Sequence, residues 1–320
     1  MKKSSVGLLV FFLLEIFALG AQPYSLEAQN HFQVGLGRLR EGRYQEAETE
    51  LQEAVKISPD YKDARYLLGI AQFQQAAYPK AEATFKELLK TDSRFTPAYI
   101  YLGEIYRLNR QYDKASEQLN KALELQPSMY EAQYALGVLY YAQGKLEAAI
   151  GTWEKILPLK KDDLDLLYNL GCAYFQKKAF KPAYEYLSRA MELSSKEADF
   201  NFAMAWLLDS MNKEPEAKEL YRKILQQFSS SPYFNLAQAQ LQIKDGQYDA
   251  AKAGLAPLEA QKLDIYYLPL LEAKIALQAN DRKNAKKFLQ QALEDNPNSW
   301  QAKEELEKIQ ALPSPIENSR

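Results

Sequence analysis

Residues able to do chemistry are few in this sequence. Among 320 residues there is one histidine, His31, and one cysteine, Cys172. His31 has no second histidine and no nearby cysteine, so it reads as structural, and histidine-based triads and two-histidine metal motifs are out of reach. Cys172 can form neither an intramolecular disulfide nor a cysteine metal cluster, and beside Gly171 in a helical slot it reads as a small buried hydrophobe. The stretch Gly137 to Lys145 has the look of a phosphate loop but spaces Gly137 and Gly144 by six residues and puts Leu146 where serine or threonine is needed. Gly35 and Gly37 are followed by Arg40 inside a helical pattern, which fails the dinucleotide fingerprint. Carboxylates are abundant, but they fall at solvated helical positions. We therefore expect no enzyme, no cofactor and no metal site.

Charge narrows the partners. The 40 basic and 42 acidic side chains give a formal −2, with no run of five or six like charges. A basic stripe is the footprint of nucleic-acid binding, and its absence argues against that class. At the start, Lys2 and Lys3 precede the apolar run Val6 to Leu14, and Ala18 and Gly20 supply a small-x-small end. That is the pattern of a secretory signal peptide over residues 1–20, with Ala21 as the mature start. The competing reading is an uncleaved anchor in the inner membrane, but Val6 to Ala21 is 16 residues and includes Glu15, whereas a span needs about 20 apolar residues. No cysteine follows the run, so no lipoprotein anchor is expected. The mature protein, at a formal −3, is expected in the periplasm or secreted, without a stable membrane span. The leader and the lack of an Asn-x-Ser/Thr sequon suggest a bacterial source.

The element that organises the rest is an alanine every 34 residues: Ala47, Ala81, Ala115, Ala149, Ala183, Ala217, Ala251 and Ala285. Twelve residues before each stands another small residue: Gly35, Gly69, Gly103, Gly137, Gly171, Ala205, Ala239 and Ala273. Two small residues locked in phase mean close helix packing repeated along a line. After a short segment at 21–27, eight units follow at 28–61, 62–95, 96–129, 130–163, 164–197, 198–231, 232–265 and 266–299. Numbered from 1 within each unit, the first series is position 20 and the second position 8. Apolar or small residues at 20, 24 and 27 share one helical face, and positions 7, 8 and 11 share a face of a preceding helix. Each unit is thus a helical hairpin. Gly42, Gly144 and Gly246 supply stops for the first helix, and Pro59, Pro127 and Pro297 close units at position 32. After Ser299, Trp300, Leu306 and Ile309 lie on one face of a helix that caps the array over 300–311, started by Asn298 or Ser299. Residues 312–320 read as a flexible tail.

Segments such as "LLGIAQFQQAAYPKAEATF" and "YLGEIYRLNRQYDKASEQLNKALELQP" resemble the tetratricopeptide repeat, and the resemblance covers about 85% of the chain. It departs at position 4, where the usual tryptophan is absent, and Gln238 and Glu272 replace the apolar residue at position 7. The resemblance implies an all-α fold, an α-solenoid of eight 34-residue helix-turn-helix repeats forming a right-handed superhelix. It also implies that positions 2, 5, 9, 12 and 13 line a concave ligand groove. From those positions the candidate groove is Phe32, Tyr66, Ile70, Phe73, Tyr134, Val138, Tyr141, Tyr168, Cys172, Phe175, Phe202 and Trp206. At position 9, where asparagine is usual in the family, five of eight residues are apolar, and exposed apolar groups lining a concavity mark a binding site. The lysine, arginine and asparagine of the family's carboxylate-clamp members are missing, so that activity is not carried over. The expected function is a non-catalytic protein-interaction scaffold in the cell envelope, binding another protein or a peptide segment. The alternative is a carbohydrate-binding accessory of polysaccharide or peptidoglycan export, with a glycan in the groove.

Overall fold

The computed structural model describes residues 24–261 and 265–311. The leader and the tail lie outside the described residues. Every described element is helical. The hairpins are α1 (Leu26–Arg40) with α2 (Tyr44–Ile57), α3 (Lys62–Gln74) with α4 (Tyr78–Thr91), α5 (Thr96–Leu108) with α6 (Tyr112–Leu125), and α7 (Tyr130–Ala142) with α8 (Leu146–Ile156). They continue with α9 (Leu164–Gln176) and α10 (Phe180–Leu193), α11 (Ala198–Ser210) and α12 (Glu214–Gln227), α13 (Pro232–Lys244) and α14 (Tyr248–Ala260), and α15 (Tyr267–Gln278) and α16 (Arg282–Asp295). The last helix is α17 (Trp300–Ala311), and a single 3₁₀ turn, Leu157–Leu159, follows α8. The chain divides into two compact units, one ending at Leu139 and the other beginning at Tyr140.

The hairpin turns share one device. Position 15 has positive φ in all eight repeats: Gly42, Ala76, Arg110, Gly144, Lys178, Asn212, Gly246 and Asn280, between 56° and 81°. The next N–H then reaches back to the carbonyl of position 11, as in Ala77 to Gln72 (2.9 Å) and Gln111 to Tyr106 (2.8 Å). A left-handed residue followed by this long return bond is the Schellman ending, which satisfies carbonyls that the first helix would leave bare.

The small residues do what their period requires. All eight alanines at position 20 are fully buried. A Cβ added to Gly103 would stand 2.8 Å from the Leu119 side chain and 3.4 Å from the Ala115 carbonyl, and one added to Gly69 would meet the Phe85 ring at 2.5 Å. Position 8 therefore receives the side chain of position 24 over the backbone of position 20, which is how the two helices approach. In the last three repeats Ala205, Ala239 and Ala273 fill the same place and are buried.

The cap helix starts at Ser299, whose hydroxyl accepts the Ala302 N–H at 3.3 Å. Its Trp300, Leu306 and Ile309 pack against the core of the second unit. Among the described residues no helix is long and apolar enough to cross a membrane.

Candidate functional site

The twelve candidate groove residues divide between the two units. In the first, Phe32 stacks on Tyr61 at 4.9 Å. Tyr66 sits among Phe85, Phe95 and Tyr101, with ring centroids 5.0–6.2 Å away, and Phe73 meets Tyr101 edge-on at 5.5 Å. These side chains are seams between one hairpin and the next, so their apolar surface is covered by neighbouring repeats. Ile70, Tyr134 and Val138 are buried as well. Positions 5, 9 and 12 lie three or four residues apart on one helical stripe, and that stripe is what a following repeat packs on.

In the second unit the structure does bring candidate residues together, around the chain's own C-terminal part. The Tyr267 ring lies 4.8 Å from Phe202 and 5.1 Å from Trp206. Trp300 packs on Phe175 at 5.9 Å, with the Lys178 ammonium 4.6 Å from its ring and ion-paired to Glu304. Asn296 donates to the Tyr141 hydroxyl at 3.2 Å, and Asn298 to the Tyr141 carbonyl at 3.4 Å. Tyr168 stacks on Phe200 at 4.8 Å. Burial pushes the Cys172 thiol up to about 12, so it carries no thiolate at neutral pH.

Of these twelve positions ten are at most 8% exposed, because neighbouring hairpins or the C-terminal segment already occupy their faces. Sequence reading missed Tyr267, Asn296, Asn298 and Trp300 as the covering residues. Their signal was a tyrosine pair opening the eighth unit and a tryptophan opening the cap.

What stays open is a cavity of about 530 Å³ in the second unit, between α11, α13, α15 and α17. Its polar members occupy positions 9, 12 and 13: Trp206 and Asp209 from α11, Gln240 and Lys244 from α13, Lys274 from α15. Trp300 and Glu305 come from α17. Asp209 accepts hydrogen bonds from the Tyr221 hydroxyl and the Gln240 amide, each at 3.0 Å, and pairs with Lys244 at 2.8 Å. The Lys274 ammonium lies 4.4 Å from the centre of the Trp206 ring, and burial lowers it to about 8. The indole N–H groups of Trp206 and Trp300 and the amide oxygen of Gln240 have no hydrogen-bond partner. Of the twelve candidates only Trp206 lines this space. The others were missed because apolar character was the criterion, and here the informative residues at those positions are polar.

Models of the tetratricopeptide repeat match residues 38–105, 102–163, 164–197, and 200–231 with 270–299. The chain belongs to the tetratricopeptide repeat family. The matches pass over the whole of the seventh repeat, yet α13 and α14 complete that hairpin as well. Among solved structures this tetratricopeptide repeat chain is similar to pilF of Pseudomonas aeruginosa, with 20% identity, TM-score 0.56, and coverage of 67% of this chain and 97% of that one. It is also similar to PilW, a widely conserved type IV pilus biogenesis factor, at 17% identity and TM-score 0.59, covering 65% and 97%. A third is a thermophilic tetratricopeptide repeat protein of Thermus thermophilus, at 24% identity and TM-score 0.51, covering 57% and 98%. At these identities the likeness is one of fold. A comparison with curated proteins gives no match.

Proposed function

We propose that this protein is a non-catalytic scaffold of the cell envelope that holds a segment of another polypeptide along its repeats. The observation that carries the reading is the uninterrupted series of helical hairpins from α1 to α16, which leaves the described chain one cap helix besides. Stacked hairpins provide an extended surface rather than a catalytic centre. The signal-peptide pattern over residues 1–20 supports an envelope setting, and a periplasmic location fits the pilus biogenesis role named for PilW.

The first three repeats are the favoured docking region. There position 13 (Arg40, Gln74, Leu108) keeps exposed or half-buried side chains, whereas at the same position of the second unit Ser210, Lys244 and Gln278 line the cavity beside α17. The glycan alternative gains no support, because the rings of Tyr66 and Trp206 on which sugars would stack are covered by other rings.

A photoreactive residue placed at Arg40 or Gln74 of the mature chain tests the reading in native envelope preparations. The expected outcome is a discrete adduct mapping to one linear segment of one envelope protein. Lys56 and Lys90, exposed at position 29 near the ends of α2 and α4, should give none. Absence of a discrete adduct at Arg40 and Gln74, or adducts only at Lys56 and Lys90, would remove the proposal.

A further inference from the structure

We propose that the cavity between α11, α13, α15 and α17 is a binding site for a small organic carboxylate, held by the Lys274 ammonium and the indole N–H groups of Trp206 and Trp300. This site is independent of the scaffold reading and lies in the other unit of the chain.

The cavity holds one charge left over. Asp209 is paired with Lys244 at 2.8 Å, Glu305 with Lys308 at 2.6 Å, and Glu304 with Lys178. Lys274 has no carboxylate within ion-pair distance among the described residues, and its only close partner is the face of the Trp206 ring. Recessing an unpaired ammonium is unfavourable, and a ring quadrupole offsets this only in part. A bound anion removes the imbalance.

The orphaned hydrogen-bonding groups then specify the anion. Trp206 is 3% exposed and its N–H is unpartnered; the Trp300 N–H is unpartnered too. Buried polar groups are nearly always paired, so unpaired groups beside a cavity point to a ligand. Two neutral donors and one cation match a singly charged carboxylate. A phosphate dianion would leave one negative charge uncompensated. Gln240, 4% exposed, spends its amide N–H on Asp209 and leaves its oxygen free, so a ligand hydroxyl or N–H has an acceptor. Leu270, Leu277 and Leu289 line the remaining space and suit an apolar body. About 530 Å³ is the size of a small-molecule pocket, and α17 forms one wall of it. This is not the clamp absent from the sequence: it uses one lysine and two indoles, one of them from the cap.

Two of the three tryptophans line the cavity, so fluorescence of the mature chain reports on it directly. The probes are phenyllactate, 3-phenylpropanoate and phenyllactamide at constant ionic strength and pH 7, with a peptide ending in phenylalanine as a further arm. Both acids should quench saturably, phenyllactate more tightly than 3-phenylpropanoate, and the uncharged amide should bind at least tenfold more weakly. Lys274→Met should reduce acid affinity tenfold or more with the thermal unfolding midpoint retained, and Lys274→Arg should keep it. Because the anion favours protonated Lys274, affinity should fall as pH rises through about 8, with Asp209, Lys244, Glu304, Glu305 and Lys308 as the other charges facing it. Lack of a saturable response to either acid, equal binding of the amide, or undiminished binding by Lys274→Met would each overturn the assignment. Tighter binding of the peptide than of any free acid would overturn the small-molecule assignment.

Discussion

The two compact units are built from the same repeat and use its inner positions differently. In the first, Tyr66 at position 5 and Phe73 at position 12 pack on residues of the next hairpin, chiefly Tyr101. In the second, Phe202 and Trp206 at positions 5 and 9 pack on Tyr267, and Phe175 at position 12 packs on Trp300. The hairpin turns and the position 8 contacts do not differ. A repeat thus fixes the seam between its own two helices, while the role of its outward stripe depends on what the rest of the chain brings to it.

Both units depend most on the seam they share. Ala115→Arg places a long charged side chain at a fully buried position and should cost about 4 kcal/mol or more through overpacking and a buried charge. Ala217→Arg should do the same in the second unit. Unchanged urea unfolding monitored by helicity would remove the seam as the common element. The next test separates the units. Trp300→Ala loses contacts with Phe175, Phe180 and the Lys178 ammonium, and should cost about 2 kcal/mol given the partial exposure of the ring. Hydrogen exchange should quicken in residues 140–311 and leave α1 to α6 as they were; quickening throughout would refute the division.

Much of the hairpin register was legible because it follows from steric necessity. Only a small residue fits at position 8 beside position 24, and the 34-residue period of Gly35 to Ala273 carries that constraint in plain view. Turn conformation was half legible. Glycine marks it at 42, 144 and 246, whereas Ala76, Arg110 and Lys178 adopt the same positive φ without any local sign. The covering of the candidate groove was not legible, because the bond from Asn298 to Tyr141 joins residues 157 apart in sequence. An apolar side chain looks the same in a sequence whether a ligand or a distant part of the chain lies on it.

A charge in the second unit gives a smaller effect with a definite sign. Glu272 stands at position 7, where the first six repeats take an apolar residue, and burial together with the neighbouring Glu259 raises its carboxyl to about 8, opposed by Lys287. A raised acid pKa means that the folded state holds a proton the unfolded chain releases, so the advantage is complete below about 4.5 and declines as pH rises towards about 8. Glu272→Gln should therefore flatten the fall in unfolding midpoint between pH 5 and 8. An unaltered slope would show that Glu272 is ionised throughout.

The smallest effect compares two turns of equal geometry. Ala76 and Lys178 have φ of 57° and 59°, a conformation in which a side chain costs roughly 1 kcal/mol and glycine costs little. Ala76 is exposed, so Ala76→Gly should stabilise the first unit by about 0.5 kcal/mol after the added freedom of the unfolded chain is counted. Lys178→Gly relieves the same backbone and also removes the ion pair to Glu304 and the cation over Trp300, so it should give no gain or a slight loss. Paired unfolding midpoints decide the matter. Equal gains at both sites would show that the Lys178 contacts add nothing to the C-terminal closure, and that Trp300 is held by its aromatic neighbours alone.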